Sequence, residues 1–163
     1  MDSDVFDDPR LTAAGLFFEA HAGLSAKLAP TLERSGLSSL DFDALTRLSR
    51  SPGRQLRMTD LAAQLSLSTS GVTRAVDRLQ RGGLVRRASS PDDRRSTYAV
   101  LTPEGAERLH GVLGEHLDGI ERWFTGLFTP EQLADLVTNL RTLRDAVHPN
   151  AAKHTAPPPA GAQ

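Results

Sequence analysis

Apolar residues in the middle of the chain recur at the spacing of one helical face. The residues of this stripe are Val72, Val76 and Leu79, at i, i+4 and i+7. Such spacing predicts an amphipathic helix. Ser68 or Thr69 supplies a hydroxyl cap for its first turn, and Gly82 and Gly83 end it because glycine accepts the left-handed conformation that closes helices.

A shorter helix is predicted just before this one. Thr59 offers a hydroxyl cap for its first turn. Its expected buried positions are Leu61, Ala62 and Leu65. Two helices separated by only a few polar residues around Leu67 predict a helix-turn-helix.

A β-hairpin is predicted to follow the second helix. Residues 84–87 and 96–101 form short strands around a polar turn at residues 89–93. Thr102 then supplies a cap, and Pro103 occupies a favoured first helical position, so a new helix begins there. Helix, turn, helix and hairpin in this order predict a winged helix-turn-helix.

Long helical segments lie on both sides of this unit. They cover residues 9–34, where Pro30 is expected to kink or end the helix, and residues 103–147. Together they carry more large apolar side chains than a winged helix-turn-helix of about residues 37–101 can bury. The sequence therefore predicts a mainly α protein with a small β-hairpin wing, in which these helices pair with a second copy to form a homodimer.

The chain ends and the composition complete this interpretation. Residues 1–8 are predicted to be a disordered acidic arm, residues 9–147 one domain, and residues 148–163 a disordered tail rich in Pro and Ala. The sequence contains no cysteine, which excludes disulfides and thiolate metal sites. With neither a membrane-length apolar run nor a basic leader, the protein is expected to be cytoplasmic.

Charge is segregated along the chain. Residues 54–95 hold nine arginines and four aspartates, a formal charge of +5, whereas the whole chain carries −1. The rest of the chain therefore sums to −6. This separation is typical of a protein that meets nucleic-acid phosphates with one surface only.

A sequence pattern in the hairpin and beyond it indicates a family. An Asp-x-Arg turn is followed by Leu-Thr-x-x-Gly. The residues of this pattern are Asp93, Arg95, Leu101, Thr102 and Gly105. With the preceding helix and glycine pair, the chain resembles the MarR family of winged helix-turn-helix transcription regulators over roughly residues 10–147. The resemblance implies a homodimer that binds double-stranded DNA at a pseudopalindrome, most simply as a repressor.

The resemblance also implies which side chains contact DNA. On the recognition helix these are Ser68, Thr69, Ser70, Thr73 and Arg74. Arg78, further along the helix, is expected to contact the DNA backbone or an acidic neighbour. At the hairpin tip Arg95 is expected to enter the minor groove with Asp93 as its support, and Arg94 to contact phosphate. The alternatives for these arginines are an ordinary solvated helix face and a charged hairpin tip. A winged helix used only for protein contacts, or a DNA binder that needs no effector, also remains open.

His21 has two interpretations. It shares with Phe17 a helical stripe that is expected to be buried, so it is either a core histidine hydrogen-bonded within the dimer or part of an effector pocket. In the second case the resemblance implies a small aromatic acid or phenol as ligand, with Arg10 assisting and Phe17, Phe42 and Leu45 as apolar walls.

An enzymatic function is not expected. The sequence has no glycine-rich phosphate loop, no nucleophile elbow and no paired-histidine zinc motif, and its histidines lack a metal-binding spacing. No cofactor or metal is predicted.

Overall fold

The computed structural model describes residues 7–89 and 96–152. Its six α-helices are α1 (Pro9–Arg34), α2 (Ser39–Arg50), α3 (Met58–Gln64), α4 (Thr69–Arg81), α5 (Pro103–Trp123) and α6 (Pro130–Val147). Its three strands are β1 (Gln55–Arg57), β2 (Val85–Ser89) and β3 (Thr97–Leu101). The expected class, mainly α with a small β-hairpin wing, is confirmed.

Side-chain caps begin most of the helices. Ser68 Oγ accepts a hydrogen bond of 3.1 Å from the amide of Gly71, and Thr102 Oγ1 accepts one of 3.0 Å from Gly105. Ser38 caps α2 in the same way through Asp41. The starts at Ser68 and Thr102 were predicted from the hydroxyl residues alone, because a cap acts on amides only two or three residues away.

The start of α3 differs from its prediction. The helix begins at Met58 rather than after a Thr59 cap, and the preceding Arg57 forms no side-chain capping bond. Arg57 is the last residue of β1 and pairs with Tyr98 of β3. The chain therefore passes directly from β1 into α3. The pairing of β1 with β3, and not a hydroxyl cap, fixes where α3 begins.

The sheet has three antiparallel strands in the order β1, β3, β2, one more than predicted. Leu56 of β1 and Arg87 of β2 both lie opposite Ala99, which is fully buried in the central strand. A strand of three residues is too short to show alternation, so β1 carries no signal in the sequence.

The core belongs to the winged helix-turn-helix. Its largest fully buried side chains are Leu45, Leu48, Leu61, Val72, Val76 and Val85. Leu32 of α1 and Leu109 and Val112 of α5 close it from the outside. The predicted stripe of α4 is confirmed, since Val72, Val76 and Leu79 are at most 2% exposed.

Pro30 does not end α1, contrary to one of the two predicted outcomes. The helix continues through it to Arg34. Proline removes one amide donor, but Leu32, one turn from the helix end, is buried in the core and anchors this last turn. Arg34 also forms an ion pair with Glu115 of α5.

The region after α6 is ordered further than predicted. Residues Pro149–Ala152 form a 3₁₀ helix instead of belonging to a structureless tail. His148 Nε2 lies 3.0 Å from the carbonyl oxygen of Ala63 and 3.1 Å from Ser66 Oγ, and Arg47 Nη1 donates to the Ala151 carbonyl at 3.2 Å. The remainder of the predicted tail and residues 1–6 of the predicted arm lie outside the described residues.

Several large apolar side chains are exposed on the flanking helices. They are Leu11, Leu16, Phe17, Phe18, Leu117, Trp123, Leu127, Phe128, Leu143 and Val147. In α6 no residue is buried. Within residues 7–89 and 96–152, no helix has both the length and the apolarity needed to cross a membrane.

Candidate nucleic-acid interface

Helix α4 turns one face to the core and the other to solvent. With its apolar stripe buried, the residues left exposed include Ser70, Arg74, Arg78 and Arg81. A glycine pair ends the helix, and Gly83 has a φ of 73°, which a residue with a Cβ rarely adopts. The chain then turns sharply into β2, so the hairpin lies beside the exposed face of α4.

The first turn of α4 combines hydroxyls with free backbone amides. Ser68 Oγ caps the helix and lies 3.1 Å from Ser70 Oγ, while Thr73 Oγ1 donates to the Thr69 carbonyl at 2.8 Å. All four residues are exposed. A helix N-terminus with exposed hydroxyls is a typical contact for a backbone phosphate.

Two exposed arginines of this unit are available for a partner. Arg74 lies on α4 and Arg86 on β2, and neither side chain forms a hydrogen bond or ion pair with any residue in the described part of the chain. Arg81 donates only to the carbonyl of Asp77 in its own helix, at 3.3 Å. Cations without an internal partner retain their full charge for phosphates or base edges.

Arg78 pairs with an acidic neighbour, one of the two contacts predicted for it. Its Nε and Nη2 donate to Asp41 Oδ1 of α2 at 3.0 and 2.6 Å. Asp41 is buried, so Arg78 links the recognition helix to α2 instead of projecting freely towards DNA. We therefore infer that Arg78 positions α4, and a contact of Arg78 with DNA stays a prediction.

The environment of Asp41 explains why its carboxylate stays charged. Burial alone raises the pKa of this carboxyl, but hydrogen bonds from Arg78 and from the hydroxyl and amide of Ser38 outweigh burial and leave it below its ordinary value. The same carboxylate completes the capping box of α2. One buried charge thus begins α2 and orients α4.

Arg87 holds the hairpin against the recognition helix. Its Nη1 donates to Asp77 Oδ1 at 2.5 Å and to Gln80 Oε1 at 3.2 Å. On β1 and β3, Arg57 Nε donates to the Tyr98 hydroxyl at 3.0 Å. The sequence analysis did not single out these contacts, although the alternation of Arg86 and Arg87 in a strand indicates that they point to opposite faces.

A groove of about 530 Å³ separates the start of α4 from the hairpin. Its walls carry hydroxyls and guanidiniums, among them those of Thr59, Thr69, Thr73, Arg57, Arg87 and Thr97. A concave surface rich in donors suits a polyanionic backbone. Asp93, Arg94 and Arg95, predicted to form the tip of the wing, lie outside the described residues.

The sequence of this unit matches a known family. Residues 35–96 fit the profile of the MarR family. Over 118 residues the chain is 31% identical to YkoM of Bacillus subtilis, an uncharacterized HTH-type transcriptional regulator, and the match covers 72% of this chain and 75% of YkoM. The chain belongs to the MarR family. It is therefore a DNA-binding transcriptional regulator, and the expectation that it is not an enzyme is confirmed by its relatives.

Two further relatives of this MarR-family protein bear on its action. Sco3205 of Streptomyces coelicolor, a MarR-family regulator solved in complex with DNA, is 32% identical with a TM-score of 0.79, and the match covers 89% of this chain and 91% of Sco3205. The transcriptional repressor MprA of Escherichia coli is 29% identical over 101 residues, 62% of this chain and 57% of MprA.

The residues predicted for an effector pocket are not brought together in the single chain. Arg10, Phe17 and His21 lie exposed on α1, whereas Phe42 and Leu45 lie on α2. His21 is exposed in the single protomer, because the apolar pattern of this part of α1 faces away from the protomer's own core. Its burial within a dimer stays a prediction.

Two of the five residues have other roles in the protomer. Leu45 is fully buried, so it belongs to the core and not to a pocket wall. Arg10 forms an ion pair with Asp8, the cap of α1, at 2.5 Å. Phe17 and His21 stand one turn apart on α1 and remain available to a partner or ligand.

Among the histidines that the structure describes, the buried one is His116, for which no role was predicted. It is 7% exposed, and its ring centroid lies 4.5 Å from that of Phe42. The signal was present, since Leu109, Val112 and His116 stand at i, i+3 and i+7 on α5. Burial lowers the pKa of His116, so the ring is favoured in its neutral form.

Proposed function

We propose that this MarR-family regulator acts as a homodimeric repressor at a pseudopalindromic operator. The observation that carries the proposal is an exposed arginine without a side-chain partner among the described residues, Arg74, on a helix whose capped N-terminus carries exposed hydroxyls. In a two-fold dimer, two such α4 helices enter successive major grooves about 10 base pairs apart. MprA, whose name describes a repressor, supports that direction of control.

Within this proposal the DNA contacts divide into two kinds. Arg74 faces the major groove, where a guanidinium pairs with guanine edges. Ser68, Thr69, Ser70 and Thr73 contact phosphates and set the register. At the wing tip Arg95 enters the minor groove with Asp93 as support, and Arg94 contacts phosphate.

The exposed apolar side chains of the flanking helices support the homodimer. Phe18 and Leu16 on α1 are 67% and 61% exposed, and Val147 at the end of α6 is 72% exposed. Water-exposed apolar surface of this extent is typical of an interface. A second copy of the same helices covers it in the arrangement we propose, which also explains why α6 buries no residue within one protomer.

A small aromatic acid or phenol is proposed as effector. Phe17 and His21 give an apolar wall and an imidazole donor on the same face of α1, and the dimer encloses them. The dimer has one conformation that binds DNA and another in which its two DNA-binding units are spaced differently. An effector releases DNA only if it binds the second conformation more tightly than the first.

One experiment tests the regulator and the dimer together. Purified full-length protein selects fragments from its source genome, and the best site is then titrated in increasing salt with and without a panel of aromatic acids. We expect an enriched palindrome, a steep salt dependence and a two-protomer complex in sedimentation. Enrichment no greater than for random DNA would favour a winged helix that serves protein contacts.

The effector proposal has its own test. His21→Ala is expected to leave DNA affinity unchanged and to blunt release by the active aromatic acid, whereas His110→Ala, an exposed histidine on α5, serves as control. A His21→Ala protein that releases DNA normally would remove His21 from the effector site.

A further inference from the structure

A second, smaller cavity lies on the side of the winged helix-turn-helix where the chain returns after α6. It has a volume of about 230 Å³ and is formed by α2, the end of α3, the end of α6 and the 3₁₀ helix of Pro149–Ala152. Its walls are polar. They include Asp43, Thr46, Arg47, Arg50, Gln64 and Arg144.

Arg47 is the central side chain of this cavity. Its Nη1 donates to the carbonyl of Ala151 at 3.2 Å, but its Nε is buried and has no hydrogen-bond partner among the described residues. The neighbouring Thr46 Oγ1 is likewise buried without a partner. Buried donors are nearly always satisfied, so two orphaned groups beside one cavity indicate a ligand that accepts hydrogen bonds.

The charges around the cavity point in the same direction. Arg47, Arg50 and Arg144 bring three positive charges, and Asp43 brings one negative charge. Arg144 also pairs with Asp145 of its own helix at 2.7 Å. Burial lowers the pKa of Arg47, Asp43 raises it, and the nearby Arg50 lowers it again. Desolvation and the positive charge of Arg50 thus both destabilise the charged form of Arg47, and a bound anion offsets both effects.

We propose that this cavity binds a small oxyanion, such as inorganic phosphate or a short carboxylate. The ligand pairs with the guanidiniums of Arg50 and Arg144. Arg47 Nε and Thr46 Oγ1, which are inaccessible in the free protein, turn towards it and donate hydrogen bonds. A volume of about 230 Å³ lies below the range of roughly 300–1,000 Å³ that is usual for drug-sized ligands, so a compact anion fits better than an aromatic effector.

Such a ligand connects the DNA-binding unit to α6, a helix of the proposed dimer interface. Arg47 and Arg50 belong to α2 in the DNA-binding unit, and Arg144 belongs to α6, which the proposed dimer buries. The adjacent His148 contacts Ala63 and Ser66, at the end of α3 and in its turn to α4. An anion held between α2 and α6 therefore stabilises the packing of the 3₁₀ helix against the helix-turn-helix.

Calorimetric titration of the full-length protein with inorganic phosphate tests the proposal. Phosphate, sulfate and malonate are each titrated at constant pH and ionic strength, with chloride as the competing salt. We expect Arg50→Gln and Arg144→Gln each to weaken binding of the preferred anion at least about tenfold, since each removes a charge-assisted hydrogen bond. Arg141→Gln, an exposed arginine one turn earlier on α6, is the matched control and is expected to bind normally.

A spectroscopic signal distinguishes this cavity from the DNA-binding surface. In ¹H–¹⁵N spectra the Nε–Hε signal of Arg47, assigned by its loss in Arg47→Lys, is expected to shift as the anion is added. A preference for phosphate, sulfate or malonate identifies the oxyanion. The proposal is overturned if none of the three binds, if the Arg47 signal stays in place, or if Arg74→Gln abolishes binding while Arg144→Gln does not.

Discussion

Arg78 of the recognition helix and Asp41 of α2 form an ion pair with two hydrogen bonds to one oxygen, at 3.0 and 2.6 Å. The carboxylate is buried, whereas 47% of the arginine side chain is exposed. In the capping box of α2, the same carboxylate accepts a hydrogen bond from the Ser38 amide, so it connects the start of α2 to α4. The recognition helix is therefore held by a charge as well as by its apolar stripe.

Removing the charge of Asp41 is expected to destabilise the protein. Asp41→Asn loses the ion pair and weakens the capping box, and we expect the free energy of unfolding at pH 7 to fall by about 1–3 kcal/mol. Urea unfolding at fixed protein concentration measures this loss. Asp118→Asn, at an exposed position of α5, is the control and is expected to change little.

The same variant predicts a pH dependence with a defined sign. Because the folded-state pKa of Asp41 lies below its ordinary value of 3.8, its contribution is complete above that value and disappears as pH falls through the folded-state pKa. The stability difference between wild type and Asp41→Asn should therefore shrink below about pH 4. A difference that stays constant down to pH 3 would show that the ion pair does not hold this carboxylate charged.

His116 is expected to make the protein less stable in mild acid. Burial lowers its folded-state pKa below the ordinary 6.5, so the unfolded chain takes up the proton first. Stability is then lost as pH falls from about 6.5 towards the folded-state pKa, and below it the loss levels off. Thermal unfolding of wild type and His116→Leu between pH 7.5 and 5 should show a smaller decline for the variant.

His110→Gln is the matched control for that experiment, since His110 is exposed on the same helix. It should follow the wild-type curve. If His116→Leu and wild type decline in parallel, His116 is not held neutral by its burial against Phe42.

Of the described glycines, Gly105 leaves the least room for a Cβ. A Cβ on this residue would lie 2.1 Å from the carbonyl oxygen of Leu84, an oxygen that also accepts the amide of Thr102 at 3.1 Å. Gly105→Ala must move α5 away from the start of β2, and we expect a loss of about 3 kcal/mol in the free energy of unfolding.

A second glycine on α5 gives the matched comparison. A Cβ on Gly114 meets no atom within 4 Å. Gly114→Ala should therefore stabilise the helix by roughly 0.5–1 kcal/mol, the usual difference in helix propensity. Equal effects of the two substitutions in chemical denaturation would contradict the role given to Gly105.

Substitutions of Arg74 and Arg78 are expected to affect DNA binding differently, although the two residues lie one turn apart on α4. Arg74→Ala should weaken binding to the selected operator by about 1–3 kcal/mol and relax its sequence preference, because it removes a base contact. Arg78→Ala should weaken specific and random DNA alike, through the orientation of α4. Fluorescence anisotropy with the operator and with a scrambled duplex measures the affinity of each variant relative to wild type. If Arg78→Ala weakened binding to the operator alone, Arg78 would be a base contact and not a positioning residue.

The wing arginine is expected to act through charge. Arg95→Ala should weaken binding and reduce the slope of log affinity against log salt by about one. Arg141→Ala, outside the proposed interface, should leave both quantities unchanged. A normal salt slope for Arg95→Ala would remove this arginine from the DNA contact.

The sequence by itself determined the elements that depend on near neighbours. Ser68, Thr102 and the glycine pair mark helix ends because a cap or a left-handed turn involves residues at most four positions apart. The stripe of Val72, Val76 and Leu79 fixes which face of α4 is buried. The sequence placed Gly105 only in the Leu-Thr-x-x-Gly pattern. The structure shows why glycine is needed there, since a Cβ would collide with the Leu84 carbonyl.

Only the tertiary structure decided which distant groups meet. It directs Arg78 inwards to Asp41, 37 residues away, while the similar Arg74 stays free. It exposes His21 and buries His116, and it gives the segment after α6 partners on α2 and α3. Periodicity identifies a face that will be covered, but what covers it depends on long-range packing, which has no signature in local sequence.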